Sequence, residues 1–176
     1  MSNNKSHILV AYFSRKGQNY ANGSIIDLKQ GNTAVVAGLV SDMLDSDSFE
    51  IEPLKAYPDN YHECTVVAKD ELRANSRPQL IRNMDISIYD TIILGYPNWW
   101  GTMPMAVRTF LDSHDFSGKT ILPFCTHEGS GMGNSESDLK KLVPGADIRR
   151  GLAIHGSSAK ETSSAIKKWL TAEKIL

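Results

Sequence analysis

Ile8-Leu9-Val10-Ala11-Tyr12-Phe13 is a nearly unbroken apolar run, and Ser14-Arg15-Lys16-Gly17 follows it at once. A strand with one wet face alternates apolar and polar residues; a strand covered on both faces has no need to. The run therefore predicts an interior parallel strand that ends in a small, polar loop. Thr91-Ile92-Ile93-Leu94 and Ile121-Leu122-Pro123-Phe124-Cys125 have the same character. Phe49-Glu50-Ile51-Glu52 alternates, as an edge strand does, and Asp147–Ile154 supplies a candidate for the opposite edge.

Helical patterns lie between these runs. Val36, Leu39, Val40, Met43 and Leu44 recur at helical spacing behind Asn32 or Thr33 as N-cap. A weaker pattern spans Asn60–Asn75, Pro104 stands as the first residue of a third helix, and a fourth runs from Ser135 through Leu142. Ser158-x-x-Glu161 has the form of a capping box before Ile166, Trp169 and Leu170. Five strands alternating with five helices predict a three-layer, doubly wound α/β domain with strand order 2-1-3-4-5. Pro123 opposes this reading, because proline removes a donor from an interior ladder and requires a bulge or a locally unpaired position.

Composition limits the function. A chain of 176 residues makes one domain, spanning 1–176, and a formal charge of −1 gives no reason to expect nucleic acid or an anionic membrane. No apolar run approaches a membrane span, and Met1–Ser6 lacks the apolar core of a secretory signal. Cys64 and Cys125 form no ligand spacing, so free thiols in a reducing cytoplasm are expected.

In a doubly wound sheet, ligands bind beyond the carboxyl ends of the strands. Three loops leave those ends. Ser14–Thr33 offers hydroxyls and the amides of a helix start, which suit a phosphate, with Lys16 nearby. It is neither a G-x-x-x-x-G-K-S/T cradle nor a G-x-G-x-x-G turn, so ATP and NAD are poor candidates for tight binding. Tyr96–Pro104 carries adjacent Trp99 and Trp100, which point apart if the segment is extended and suit a flat aromatic ligand. Thr126–Gly133 has three glycines within Gly129–Gly133 that let the backbone approach a ligand. Ser130 lacks the setting of a nucleophile elbow, and the places where a phospho-acceptor receiver keeps its acids hold Ser14 and Tyr96.

Ile8–Arg15, Gly31-Asn32-Thr33, Leu94–Pro104 and Pro123–Gly131 together resemble the flavodoxin family, most closely a bacterial subgroup with a tryptophan pair. The resemblance covers nearly the whole chain and implies FMN as cofactor. It implies phosphate contacts at Ser14, Asn32 and Thr33, with Lys16 and Ala34 as neighbours. Pro97, Asn98, Trp99, Trp100 and Gly101 match one ring loop; Thr126, His127, Glu128, Gly129 and Gly131 match the other. It also implies that amides of Gly129–Gly131 meet the ring carbonyls. The family's compact S-x-T-G-N-T is interrupted here by Gln18–Gln30, a segment placed either beside the cofactor or against a partner. Two roles stay open: a small FMN-dependent oxidoreductase acting between a nicotinamide or reductase and a small acceptor such as a quinone, or a non-enzymatic carrier between redox proteins.

Overall fold

The computed structural model describes residues 7–176; Met1–Ser6, on which the reading of the N-terminus rests, lie outside the described residues. The strands are β1 (Ile8–Tyr12), β2 (Gly17–Ala21), β3 (Ser24–Leu28), β4 (Asp47–Glu50), β5 (Thr91–Pro97), β6 (Thr120–His127), β7 (Asp147–Ile148) and β8 (Leu152–His155). The helices are α1 (Asn32–Leu44), α2 (Tyr61–Arg73), α3 (Met105–Asp112), α4 (Ser135–Leu142) and α5 (Ser163–Ala172), with a 3-10 segment at Gly156–Glu161.

The main sheet is parallel and runs β4-β1-β5-β6-β7, with β8 also paired to β6. Numbered along the chain without β2 and β3, this is the expected order 2-1-3-4-5. Alternate residues feed opposite faces. Leu9, Ala11, Ile92, Leu94 and Ile121 pack with Val107, Phe110 and Leu139 on one side. Ile8, Val10, Ile93, Leu122 and Phe124 pack with Val36, Val40, Ile166 and Trp169 on the other. Both faces are dry, which explains the unbroken apolar runs.

The far edge is interrupted rather than continuous. Arg149 N donates to the Ile121 carbonyl at 2.9 Å, and β8 resumes pairing at Phe124↔Leu152. Pro123 faces the same side as Ile121 by strand alternation, so its missing N–H falls where the edge strand is broken. The proline is accommodated by that gap, which Asp147–Ile154 as a single strand would not have left.

Three helix starts differ from expectation. The N-cap of α1 is Gly31, with extended backbone and no side-chain cap. Ser14 Oγ accepts from Ala34 N at 3.0 Å instead, so a residue from the preceding loop performs the capping. A Cβ on Gly31 would collide with the Ser14 side chain and the Arg15 carbonyl, so only glycine permits this approach. The Ser158-x-x-Glu161 capping box does not form: those residues sit in the 3-10 segment, and α5 starts after Thr162. Pro104 is the N-cap of α3 rather than its first residue.

The Gln18–Gln30 segment of the loop after β1 forms most of an antiparallel hairpin, β2 on β3, turning at Asn22-Gly23. Both turn residues have positive φ, 50° and 85°, the conformation that a two-residue turn matching strand twist requires. Among the described residues, no helix is long and apolar enough to cross a membrane.

Candidate functional site

The loops after β1, β5 and β6 meet at one rim of the sheet, beside the start of α1. At the meeting point Thr33 Oγ1 and Thr126 Oγ1 lie 2.7 Å apart, both nearly excluded from solvent at 2 % and 4 % exposure. One hydroxyl donates to the other, so the α1 start is fixed to the β6 end. Asn98 fixes the other two loops. Its backbone N donates to Thr126 O at 2.8 Å, its Nδ2 donates to Gly131 O at 2.9 Å, and its Oδ1 accepts from Gly101 N at 2.9 Å.

A cleft of about 280 Å³ opens above this junction. Ser14, Asn32, Thr33, Pro97, Asn98, Trp99, Thr126, His127 and Glu128 all line it. Lys16 and Ala34 do not; they line a separate groove of about 490 Å³ on the other side of the Ser14-Arg15 backbone, with Lys29, Glu50 and Glu52. Trp100, Gly101, Gly129 and Gly131 do not line the cleft either. The Gly129 amide donates to His127 Nδ1 at 2.9 Å. The cleft is also lined by Arg15, Asn19, Tyr20, Tyr61, Ser130 and Gly156, which the sequence did not single out as site residues. Asn22-Gly23 was the available signal for the hairpin that brings Asn19 and Tyr20 there. Tyr61 carried no signal, since only the fold brings α2 to this rim.

The tryptophans diverge, as their adjacency suggested. The indole of Trp99 meets Phe13 and Tyr57 edge-on, with centroids 5.1 and 5.0 Å away. Trp100 is half exposed, at 50 %; its Nε1 donates to Thr65 O at 2.9 Å, and Lys69 Nζ stands 4.7 Å from its ring centroid. The pair sits on a tight turn: Trp99 N donates to Thr102 O at 2.9 Å, with φ of 56° at Trp100 and 85° at Gly101. Positive φ is unfavourable for a bulky residue, so Trp100 is held in place by its neighbours.

The hairpin is tied across the rim at both ends. Arg15 Nη2 donates to Asp59 O at 2.9 Å, Gln18 Oε1 accepts from Tyr61 N at 2.8 Å, and Tyr20 stacks on Tyr61 with centroids 6.4 Å apart. At the tip, Glu128 Oε2 accepts from Asn22 N at 3.3 Å and Oε1 from Ser157 N at 3.1 Å. His155 Nε2 lies 3.6 Å from Glu128 Oε2, and the His127 and His155 rings are 5.7 Å apart. Burial, together with the neighbouring His155, holds the His127 imidazole below its usual range, against the opposing pull of Glu128. Both cysteines are free and buried, and burial pushes the Cys125 thiol up to about 12. Among the described residues, no group of three His, Cys, Asp or Glu is placed to hold a metal.

Comparison with known proteins agrees with this geometry. The model of a flavodoxin family matches residues 7–173. The chain belongs to the flavodoxin family. Among solved structures, this flavodoxin is similar to a protein from Bacteroides uniformis described as a flavoprotein, at 33 % identity and TM-score 0.74 over 94 % of this chain and 98 % of that one. A second, from Bacteroides eggerthii and described in the same way, has 30 % identity and TM-score 0.75 over 95 % and 97 %. A flavoprotein from Lactobacillus acidophilus, solved in complex with FMN, shares the fold at 20 % identity and TM-score 0.68 over 89 % and 97 %. No curated protein matches the chain.

Proposed function

We propose that this flavodoxin binds FMN non-covalently in the rim cleft and serves as an oxidoreductase for a small electron acceptor. The observation that carries the reading is the composition of the cleft from end to end. Hydroxyls of Ser14 and Thr33 stand at the start of α1, and an indole, Trp99, stands further along the same cavity. The first-turn amides of a helix lack intrahelical partners and favour an anion, so this end suits a phosphate. Arg15 also lines the cleft and brings a positive charge to it. The cleft continues into a cavity of about 270 Å³ between α2 and the Trp99-Trp100 turn, sharing Arg15, Asn19, Tyr61, Asn98 and Trp99 with it, and together they fall within the usual range for small-molecule sites, roughly 300–1,000 Å³. The donor set therefore fits FMN.

When bound, FMN supplies the electron storage; the protein supplies position and electrostatics. Ser14 and the α1 start hold the phosphate. Asn98, bridging the β5 and β6 loops, keeps the ring walls at a fixed separation. His127 accepts a hydrogen bond at Nδ1, so the neutral imidazole carries its proton on Nε2 and is a donor at the cleft wall. The absence of a strong charge field, at a net −1, weakens long-range steering of a protein partner and favours a small acceptor over a carrier role. Purified protein should form a yellow complex with FMN. Oxidation of NADH or NADPH should then accelerate on adding a quinone; a stoichiometric complex that no nicotinamide reduces would favour the carrier instead.

A further inference from the structure

The hairpin leaves one strand edge without a partner. β3 pairs with β2, and among the described residues the two make a sheet of their own. In a two-residue hairpin the closing pair, here Ala21↔Ser24, exchanges backbone bonds, and bonded and unbonded pairs then alternate. Ser24, Ile26 and Leu28 therefore turn their N–H and C=O groups toward β2, while Ile25 and Asp27 turn theirs away. The same alternation sends the Gln18 carbonyl off the opposite edge, where it accepts from Arg15 Nε at 3.3 Å. That edge lies against the start of α2, through Gln18 and Tyr20 on Tyr61. The β3 edge has no such cover. Among the described residues, the backbone groups of Ile25 and Asp27 have no hydrogen-bond partner. Ser24–Asp27 are all exposed, and Ile25 and Ile26, on opposite faces, are each 38 % accessible. Proteins commonly blunt an open edge with proline, lysine or a bulge. β3 has none of these, and Asp27 is its one charged residue.

We infer that the β3 edge pairs with the β3 edge of a second copy of this chain, antiparallel about a two-fold axis at Ile26. The outward groups fix the register. Ile25 of each copy stands opposite Asp27 of the other, and each such pair exchanges both of its N–H···O bonds. The two Ile26 side chains then meet in the close, unbonded position at the axis. An axis at Asp27 would set two carboxylates opposite each other, which is destabilising. An axis at Ile25 would run the outer pairs into the Asn22-Gly23 turn. A second copy suits this edge because the edge complements itself: isoleucine lies on the axis and the carboxylate lies off it. A formal charge of −1 gives two copies little mutual repulsion. A strand pair of this length falls below the roughly 1,200 Å² at which standard interfaces begin, so the dimer is weak and depends on concentration. Pairing at this edge is independent of what the cleft binds, although β2 carries Asn19 and Tyr20 to the cleft wall.

Sedimentation velocity of the full chain, over about two decades of concentration from micromolar upward, reads the association. The wild-type coefficient should rise with concentration from that of one chain toward that of two. Ile25→Pro removes an outward N–H that the β2–β3 ladder does not use, and should weaken the dimer by about tenfold or more. Ile26→Lys and Ile26→Glu each place like charges at the axis. Either variant alone should stay monomeric where wild type dimerises, and an equimolar mixture of the two should recover the dimer. Damage to the fold cannot produce recovery on mixing, so this charge pair carries the test if Ile25→Pro does not fold. Wild type that stays monomeric throughout overturns the assignment and leaves the edge to a different partner. Ile26 variants that dimerise as wild type does, or a mixture that stays monomeric, overturn it as well.

Discussion

Ser14 stands where the sheet rim meets the start of α1, and its hydroxyl is the acceptor for Ala34 N. Removing it leaves a first-turn amide to water and takes one hydroxyl from the end of the cleft proposed to hold the phosphate. Ser14→Ala should lower the thermal stability of the cofactor-free protein by about 0.5–2 kcal/mol, as loss of a cap does. It should weaken FMN while leaving riboflavin, which has no phosphate, unchanged; paired titrations of the two flavins check this. Trp99→Ala should weaken both flavins by about 1–3 kcal/mol, the scale of an aromatic stacking contact. His127 gives a pH prediction. Its folded-state pKa lies below its unfolded value, so on acidification the unfolded chain takes the proton first and stability falls as pH drops through the ordinary imidazole range. His127→Gln should flatten that part of a stability–pH profile measured by denaturant unfolding.

At the scale of elements, the hairpin interrupts the loop after β1, and Glu128 is the link that holds its tip to the β6 loop and to Ser157. Glu128→Ala should speed amide hydrogen exchange across β2 and β3 while β1, β5 and β6 keep their protection. The core strands were legible because burial on both faces leaves no alternation, and that signal survives in any single sequence. The hairpin was less legible: Gln18–Gln30 stood out only as an interruption of the loop, and its form depends on a turn at Asn22-Gly23 and on anchors at Tyr61 and Glu128, 43 and 106 residues from their partners. The α1 cap was misplaced for a related reason. Asn32 and Thr33 have capping side chains, yet Thr33 is engaged with Thr126 and Ser14 reaches in over Gly31. Local pattern named the helix; a tertiary contact chose its cap. In the same way nine of the fifteen expected site residues line one cleft, because the ends of parallel strands must share a rim, while the turning of each loop decides which side chains face inward.

For the molecule as a whole, binding and stability are linked. A ligand that binds only the folded state at a hundred times its dissociation constant adds about 2.7 kcal/mol. For a domain of this size that corresponds to a rise in Tm of roughly 5–10 °C, readable by a thermal melt with and without FMN. Near-neutral charge further predicts that reduction of a small neutral quinone depends little on ionic strength, since neither partner presents a field for salt to screen. Both expectations depend on the three loops acting together as a single flavin site. Titration of the purified protein into FMN, followed by loss of flavin fluorescence, tests that claim most directly. The account predicts saturation at one equivalent with affinity on the order of micromolar or tighter; undiminished fluorescence with protein in excess would contradict it.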